Sequence, residues 1–330
     1  MPVYRCNGCG YVSEVPTIPS DHKQTCGRCG HPSTVYSTVL FVEKLVERYA
    51  AALRELKALR AAEDDVAEGQ SPSDTESVTT VESASTGNFS TAEQHKPLGD
   101  WFAARKIGIE FDHQLVDTAG YFDDAARMLG DQFELFGELI DRVAYAYRKG
   151  HSSIYLELGR LSQREAKAIT QLCRELYSHT FFSRYYYQKP EKIVRLTLQT
   201  APAVRKFFEG AWLEWYVLLQ ALDALEAAKL GQFACARGAK VKFPNEDVHE
   251  LDVVVMPFGQ DPICIECKSG EFRRDIEKYL RLRKRIGVDR HHFIICAADL
   301  SDEQASSLSA MYELTFVNLH LLPMHLKKML

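Results

Sequence analysis

Two hydrophobic runs in the last third of the chain carry charged side chains inside segments that otherwise resemble buried strands. The first run, 250–255, is rich in valine, and a Gly-Gln-Asp-Pro turn separates it from the second run, 263–268. Together these features predict a β-hairpin. Side chains alternate across a strand, so Glu266 and Lys268 share one face, and strand pairing brings Asp252 beside them.

Two carboxylates and an ammonium group that converge in this way predict a cation site. Ionised carboxylates repel each other, so Asp252 and Glu266 need a compensating cation, and hard oxygen ligands favour Mg²⁺ or Mn²⁺. Such an ion polarises a phosphate and supplies a hydroxide-like nucleophile near neutral pH. The alternative is a cross-strand salt bridge between Glu266 and Lys268 on a solvated face.

A helix predicted upstream, over 203–230, has an acid on its apolar face. Residues on this face recur with the 3.6-residue period of a helix: Phe207, Ala211, Glu214, Leu218, Ala221 and Leu225. A carboxylate at Glu214 needs a partner, because an unpaired buried charge is costly, and a metal or its bound water would compensate it. The alternative is a position on the helix surface near Trp212 and Trp215.

These segments resemble the PD-(D/E)xK nuclease superfamily, whose pattern is an Asp on one strand followed by Glu-x-Lys on the next. Leu251 stands at the position of the nominal proline. The stretches 208–217, 250–252 and 265–270 are similar to the nuclease domain of CRISPR-associated effectors that cyclic oligoadenylates activate. The resemblance covers roughly the last 130 residues.

The resemblance implies a metal-dependent endonuclease with a restriction-endonuclease-like mixed sheet, flanked by helices, over 201–330. In this family Lys268 would orient the attacking water or help to deprotonate it. DNA is expected as the substrate over RNA, because the superfamily mostly cuts DNA, and phage defence is the expected setting. The implied metal ligands include the backbone carbonyl of one residue, Cys267, and three side chains: Asp252, Glu266 and Glu214.

Positive charges beside the hairpin predict contact with a polyanion. The segment 271–290 has eight Lys/Arg against four Asp/Glu, and its apolar residues recur at helical spacing. Such a helix grips phosphates without reading sequence. The alternative is a solvated surface that is merely basic. The predicted nucleic-acid-binding residues, on this helix and on a preceding strand, are Arg274, Lys278, Arg281, Arg285, Lys240 and Lys242.

Two Cys-x₂-Cys pairs at the other end of the chain, with sixteen residues between them, predict a structural Zn²⁺ site made of Cys6, Cys9, Cys26 and Cys29. Four thiolates leave no open position for catalysis. The first residues lack the apolar segment of a signal peptide, which favours the cytoplasm over a disulfide-forming compartment. The ribbon surface is expected to contact nucleic acid or a protein partner.

Composition suggests where the domains divide. A zinc ribbon (1–37) and an amphipathic helix (38–62) precede an acidic, Ser/Thr-rich linker (63–98), a middle domain (99–200) and the nuclease-like domain. The linker should be disordered, because eight Asp/Glu and no Lys/Arg fall between 63 and 93 in a chain of net charge −5. The helix is expected either to form a homodimer or to pack on the ribbon. No apolar run is long enough to span a membrane.

The middle domain is predicted to be a small α+β unit of unknown role, so the whole chain is an α/β (α+β) multidomain protein. Its expected elements are a helix over 123–149, a strand over 153–158, a helix capped by Ser162 with Glu165, and strands over 180–188 and 192–199. Its aromatic residues would stack bases or, as aromatic strands usually do, form core: Phe181, Phe182, Tyr185, Tyr186 and Tyr187.

In the C-terminal domain we expect five strands, over 234–243, 250–257, 262–268, 292–297 and 314–319. The expected helices cover 203–230, 271–287 and 301–312, with a short one after Pro323. If the acids do not catalyse, the competing function is a zinc-ribbon adaptor or regulator that retains a nuclease fold for binding.

Overall fold

The computed structural model describes residues 2–6, 11–20, 22–39, 92–111, 119–230 and 232–330. The chain divides into two compact units, 1–80 and 81–330, which are described separately. Cys9, almost all of the predicted helix 38–62 and most of the predicted linker lie outside the described residues. The fold is a mixed α+β arrangement with several sheets, as predicted. None of the described helices is long and apolar enough to cross a membrane.

The first unit is a four-stranded antiparallel sheet in the order β2-β1-β4-β3. Its core is very small, with Tyr4 and Val35 packed beside two buried cysteines. A core of this size supplies little hydrophobic stabilisation, so such a unit depends on a further cross-link or a bound metal. Its strands are β1 (Val3–Arg5), β2 (Val12–Glu14), β3 (Lys23–Thr25) and β4 (Pro32–Tyr36).

The second unit is built on a six-stranded mixed sheet in the order β13-β12-β11-β10-β9-β5. The strands β11, β12 and β13 are parallel, and the remaining pairs are antiparallel. The five predicted strands are all present, with ends within two residues of those expected. The six strands are β5 (Gly108–Glu110), β9 (Phe233–Lys242), β10 (Val248–Pro257), β11 (Ile263–Lys268), β12 (Phe293–Ala297) and β13 (Thr315–Val317).

Helices cover both faces of this sheet. On one face α1, α7 and α8 contribute to a shared apolar cluster, and on the other α6 and α9 do so. The helices are α1 (Ala92–Ala103), α2 (Ala119–Asp131), α3 (Phe133–Lys149), α4 (Gln163–Ser178), α5 (Pro202–Lys206), α6 (Trp212–Ala227), α7 (Ile276–Ile286), α8 (Asp302–Met311) and α9 (Leu321–Met329).

Three predicted helices differ from those observed. The helix predicted over 123–149 is two helices, because Gln132 has a non-helical backbone (φ −129°, ψ 39°) between α2 and α3. The helix predicted over 203–230 is interrupted by a π-helical turn, Phe207–Ala211, in which Gly210 has a φ of 148°. The last helix begins before Pro323, which lies in its first turn, where a missing N–H is tolerated.

A second sheet, of three antiparallel strands in the order β6-β8-β7, lies in the predicted middle domain. Its strands are β6 (Ser153–Glu157), β7 (Phe182–Gln188) and β8 (Ile193–Leu198). Residues of this sheet and of α6 belong to one continuous apolar core, which therefore crosses the proposed boundary at residue 200. In addition, α1 begins at Ala92, inside the predicted linker, because Leu98 and Phe102 are fully buried against the large sheet.

Candidate functional site

The hairpin of β10 and β11 brings the three predicted charged residues together. Pairing of Val253 with Ile265 sets the register that places Asp252 beside the end of β11. One oxygen of Asp252, Oδ2, accepts hydrogen bonds from the Cys267 amide at 2.7 Å and from Lys268 Nζ at 3.0 Å. Lys268 Nζ also contacts Glu266 Oε2 at 3.0 Å. A single ammonium group therefore bridges the two carboxylates.

The strand β10 is irregular at Asp252. Val253 packs toward α6, whereas Leu251, two residues earlier, packs toward α7, so the side-chain alternation reverses at Asp252. The pairing of β9 with β10 skips Asp252, which lies opposite Gly238. Gly238 has a φ of 65°, a left-handed conformation that a residue without Cβ adopts at little cost.

Glu266 is buried, with only 3% of its surface exposed, so it does not belong to a salt bridge on a solvated face. Burial, together with the charge of Asp252, raises the pKa of Glu266 to about 7. Its second oxygen, Oε1, is buried and has no hydrogen-bond partner among the described residues. A buried, unpartnered carboxylate oxygen is costly, and a cation would satisfy it.

Lys268 remains protonated in this arrangement. Burial opposes its charge, but the carboxylates of Glu266 and Asp252 outweigh burial and raise its pKa. The ammonium also lies 5.4 Å from the centre of the Tyr279 ring on α7, a residue that sequence reasoning did not single out. The geometry therefore favours Lys268 as a fixed positive charge over Lys268 as a base.

Glu214 has a partner, Arg237 on β9, that was not foreseen. The carboxylate and the guanidinium are 3.1 Å apart, and the guanidinium also stacks on Trp215 at 4.1 Å. Burial and the nearby charge of Asp252 raise the pKa of Glu214. An arginine directly after the apolar start of β9 was the available signal, because a buried guanidinium requires an acid.

A second acid near Arg237 lies on the helix α2. Asp123 on α2 is buried. Desolvation lowers the pKa of the Arg237 guanidinium, and the charges of Glu214 and Asp123 partly oppose this shift. Arg237 thus lies under the influence of two acids on different helices, Asp123 and Glu214. No motif indicated Asp123, because the pairing depends on how α2 packs against α6.

Two of the three predicted acids, Asp252 and Glu266, are better placed to bind a divalent cation than all three together. In the part of the chain described, only a cysteine cluster places three potential ligand atoms within 4.8 Å of one another. Asp252 and Glu266 nevertheless contact one nitrogen, each at 3.0 Å, so their carboxylates are adjacent. Glu214 is engaged by Arg237. Ligation by Glu214 and by the carbonyl of Cys267 remains a prediction from the resemblance.

The basic residues predicted to bind nucleic acid do not form one groove. Lys278 and Arg281 on α7, and Arg274 in the turn just before it, are exposed. Arg285 has a structural role, because it pairs with Asp247 at 2.9 Å and lies over the Phe243 ring at 3.7 Å.

The two predicted lysines on β9 lie on the opposite side of the sheet. Lys240 and Lys242 alternate with Ala239 and Val241, which pack in the same cluster as α7. They therefore point away from α7. Lys240 is also flanked across the strands by Glu110 and Glu250, which reduces its attraction for a polyanion. Lys240 and Lys242 thus lie away from the basic residues of α7, and their contact with nucleic acid stays a prediction.

A cleft of about 250 Å³ opens beside Lys268. Residues from the ends of β11 and β12 and from the starts of α7 and α8 surround it, and their charges are of both signs. The Lys268 side chain, which is 21% exposed, is therefore partly accessible from this cleft. The cleft is lined by Lys268, Gly270, Glu271, Phe272, Arg273, Ala297, Asp299, Leu300 and Gln304.

Three of the four predicted zinc ligands lie together in the first unit. The sulfur atoms of Cys6, Cys26 and Cys29 lie within 4.8 Å of one another. The Arg28 amide donates to Cys26 Sγ at 3.4 Å, as backbone amides do toward metal-binding thiolates. These three residues can therefore hold a metal.

The chain matches no protein-family model and no curated protein. It is similar to the crystal structure of protein VC1899 from Vibrio cholerae, with 18% identity and a TM-score of 0.47 over 70% of this chain and 60% of that chain. It is also similar to Can2 from Sulfobacillus thermosulfidooxidans in complex with cyclic tetra-adenylate, with 12% identity and a TM-score of 0.48 over 70% and 59%. The chain thus spans about 60% of the length of these two proteins.

Proposed function

We propose that this protein is a metal-dependent nuclease that hydrolyses phosphodiester bonds, with DNA favoured over RNA. Asp252 and Glu266 would hold Mg²⁺ or Mn²⁺, and Lys268 would supply the fixed positive charge. Phage defence is the setting we propose for this activity. The Cys6, Cys9, Cys26 and Cys29 set would hold a structural Zn²⁺, and its surface would contact nucleic acid or a protein partner.

One observation carries the proposal. Lys268 holds one oxygen of each acid, Asp252 Oδ2 and Glu266 Oε2. Within the described chain, the other oxygen of each makes no hydrogen bond, and Glu266 Oε1 is buried. Two adjacent carboxylates that each keep a free oxygen match the preference of hard divalent cations. When bound, such a cation withdraws charge from a phosphate and acidifies water.

The residues of the chain have separable roles in this arrangement. The Cys267 amide and Lys268 fix the Asp252 carboxylate in one orientation. Burial keeps bulk water away from Glu266, which strengthens its interaction with any positive charge. Lys268 borders the open cleft and stays protonated, so it can stabilise negative charge on a phosphate oxygen there.

The test is cleavage of plasmid and single-stranded oligonucleotides with and without Mg²⁺. Asp252→Asn and Lys268→Met should each lower the cleavage rate about 100-fold or more, because each removes a charged group from the site. Glu250→Gln is the matched control, since Glu250 is an exposed acid two residues away on the same strand. Full activity in either site variant, with normal melting temperatures throughout, would rule the site out.

The contacts of Lys268 with both acids also support a second candidate function. Lys268 already bridges both acids, so the cluster can exist as a structural ion network without any metal. The protein would then be a zinc-ribbon adaptor that uses a nuclease fold for binding. Retention of a labelled oligonucleotide without any Mg²⁺-dependent or Mn²⁺-dependent cleavage distinguishes this function from the nuclease.

A further inference from the structure

The three-stranded sheet β6-β8-β7 has one covered face and one open face. Leu156, Val194 and Leu196 point inward and are buried in the main core. The residues that alternate with them point outward and are exposed, among them Tyr155, Arg195 and Tyr186. Of the five clustered aromatic residues, Phe181 and Phe182 are core, whereas the ring of Tyr186 is 61% exposed.

Strand register aligns the exposed residues in a row. Arg195 on the central strand pairs with Tyr155 on one side and with Tyr186 on the other. Neighbouring strands are about 4.8 Å apart, so Tyr155 and Tyr186 on the two outer strands lie about 10 Å apart. At this distance each ring can stack on a separate planar group. In the next row of the same face, Thr197 pairs with Ser153 and Arg184.

The open face carries two arginines, Arg184 and Arg195, against one exposed acid, Glu157, which pairs with Ile193 in the row next to Arg195. Neither Arg184 nor Arg195 forms an ion pair with any part of the chain that the structure describes. Arg195 Nε donates to Gln188 at 2.6 Å, which fixes the guanidinium while leaving its charge uncompensated. The hairpin 182–198 contains four Lys/Arg and one Glu, in a chain whose net charge is −5. This face is therefore complementary to a polyanion.

We infer that the open face of β6-β8-β7, with Tyr155, Arg195, Tyr186 and Arg184, binds single-stranded nucleic acid. Unpaired bases stack on exposed tyrosine rings regardless of sequence, and arginines beside the rings hold the phosphates. A duplex keeps its bases paired and cannot offer their faces to the rings. The inference deepens the proposed nuclease function, because this face would hold substrate outside the cleavage site.

The test measures binding rather than cleavage. Full-length chains that carry Asp252→Ala are titrated into labelled 12-nucleotide oligo-dT and oligo-U, and fluorescence anisotropy gives the Kd. Tyr155→Ala and Tyr186→Ala are compared with Tyr186→Phe, which keeps the ring. Tyr145→Ala is the matched control, because Tyr145 is exposed to the same extent, 52% against 51% for Tyr155, but lies on α3.

Each Tyr→Ala change on the open face should weaken binding about 5- to 100-fold, and Tyr186→Phe should retain it. Arg195→Gln should reduce the slope of log Kd against log salt by about 0.7, the value for one lost phosphate contact on a single strand. A duplex of equal length should bind more weakly than either single strand. The comparison of oligo-dT with oligo-U shows which nucleic acid the face prefers.

Equal affinity of the parent, Tyr155→Ala and Tyr186→Ala would overturn the inference, as would equal weakening by Tyr145→Ala. Failure of the parent to bind either oligonucleotide would also overturn it, and would leave a protein as the partner of this face. Binding by the face without cleavage in the unmodified chain contradicts only the nuclease proposal. Cleavage without a contribution from the face contradicts only the inference.

Discussion

The interaction between Arg237 and Glu214 shows how a single buried residue constrains the site. The two side chains are 9% and 19% exposed, so each depends on the other for compensation. Removal of one partner from a buried pair leaves an uncompensated charge, whereas removal of both is much less costly. Arg237 therefore stabilises the carboxylate of Glu214 in the position where the resemblance expects a metal ligand.

We expect Arg237→Leu to lower the free energy of unfolding by about 3 kcal/mol at pH 8. The loss should be smaller at pH 5. Burial already raises the pKa of Glu214, and without Arg237 its folded-state pKa rises further above the unfolded value. The Arg237→Leu variant therefore keeps its stability at pH values below the pKa of Glu214 in the unfolded chain. It loses stability as the pH rises toward the pKa of Glu214 in the folded chain. Urea unfolding at the two pH values measures both effects.

The double variant Arg237→Leu/Glu214→Gln is the control for this effect. It should recover the part of the lost stability that the charge of Glu214 causes and reduce the difference between pH 5 and pH 8, while the buried Asp123 remains ionisable beside position 237. Additive losses from the two single changes would show that the residues are not coupled.

Metal binding at Asp252 and Glu266 can be measured without any substrate. Mg²⁺ or Mn²⁺ should stabilise the unmodified chain by about 2.7 kcal/mol at a hundred times the Kd, because the ion binds only the folded state. Asp252→Asn should abolish this stabilisation, and Glu250→Gln should preserve it. Differential scanning calorimetry across a metal titration gives the shift, and an equal shift in Asp252→Asn would place the ion elsewhere.

At the scale of elements, local patterns predicted most strands and the capping box. Ser162 accepts from the Glu165 amide, and the Glu165 carboxylate accepts from the Ser162 amide, as the sequence indicated. The break at Gln132 was not predicted, because the apolar residues of α2 and α3 keep the same helical spacing on both sides of it. The kink at Gly210 also escaped, because a lone glycine in a helical pattern does not reveal its backbone angles.

The site itself was predictable only in part, for a related reason. The alternation of β11 placed Glu266 and Lys268 on one face, and a simple antiparallel partner brought Asp252 near them. The reversal of alternation at Asp252, and the Arg237 and Asp123 contacts, arise from the packing of separate elements, which single-sequence periodicity does not contain.

The packing of α2 against α6 can be tested with two helical glycines. A Cβ on Gly130 would overlap the Tyr216 ring, whereas one on Gly137 in α3 would lie 3.6 Å from the Phe133 ring. We expect Gly130→Ala to destabilise the fold by about 1–3 kcal/mol, because the helices must separate.

Gly137→Ala serves as the matched control. It should stabilise the fold by about 0.4–1 kcal/mol, because alanine reduces the entropy of the unfolded chain and has room in the helix. Urea denaturation of the two variants measures the difference, and equal effects would show that α2 is not tightly packed on α6.

At the scale of the whole molecule, the described cores indicate two units with different sources of stability. One apolar core joins the middle sheet, α6 and one face of the large sheet. The first unit has five core residues, of which two, Cys6 and Cys26, belong to the cysteine cluster. Its stability should therefore depend on a metal, whereas that of 81–330 should depend on hydrophobic burial.

Removal of zinc should therefore unfold the first unit selectively. Full-length protein should contain one zinc per chain, and Cys26→Ser should lose it, because each of four thiolates is a ligand in a closed site. Calorimetry should then show that the transition of residues 81–330 is preserved, while amide protection in β1 and β4 disappears by hydrogen exchange. Cys173→Ser, at a buried cysteine in α4 outside the cluster, should keep the zinc. Zinc retention by Cys26→Ser, or the same loss from Cys173→Ser, would contradict a metal-dependent first unit.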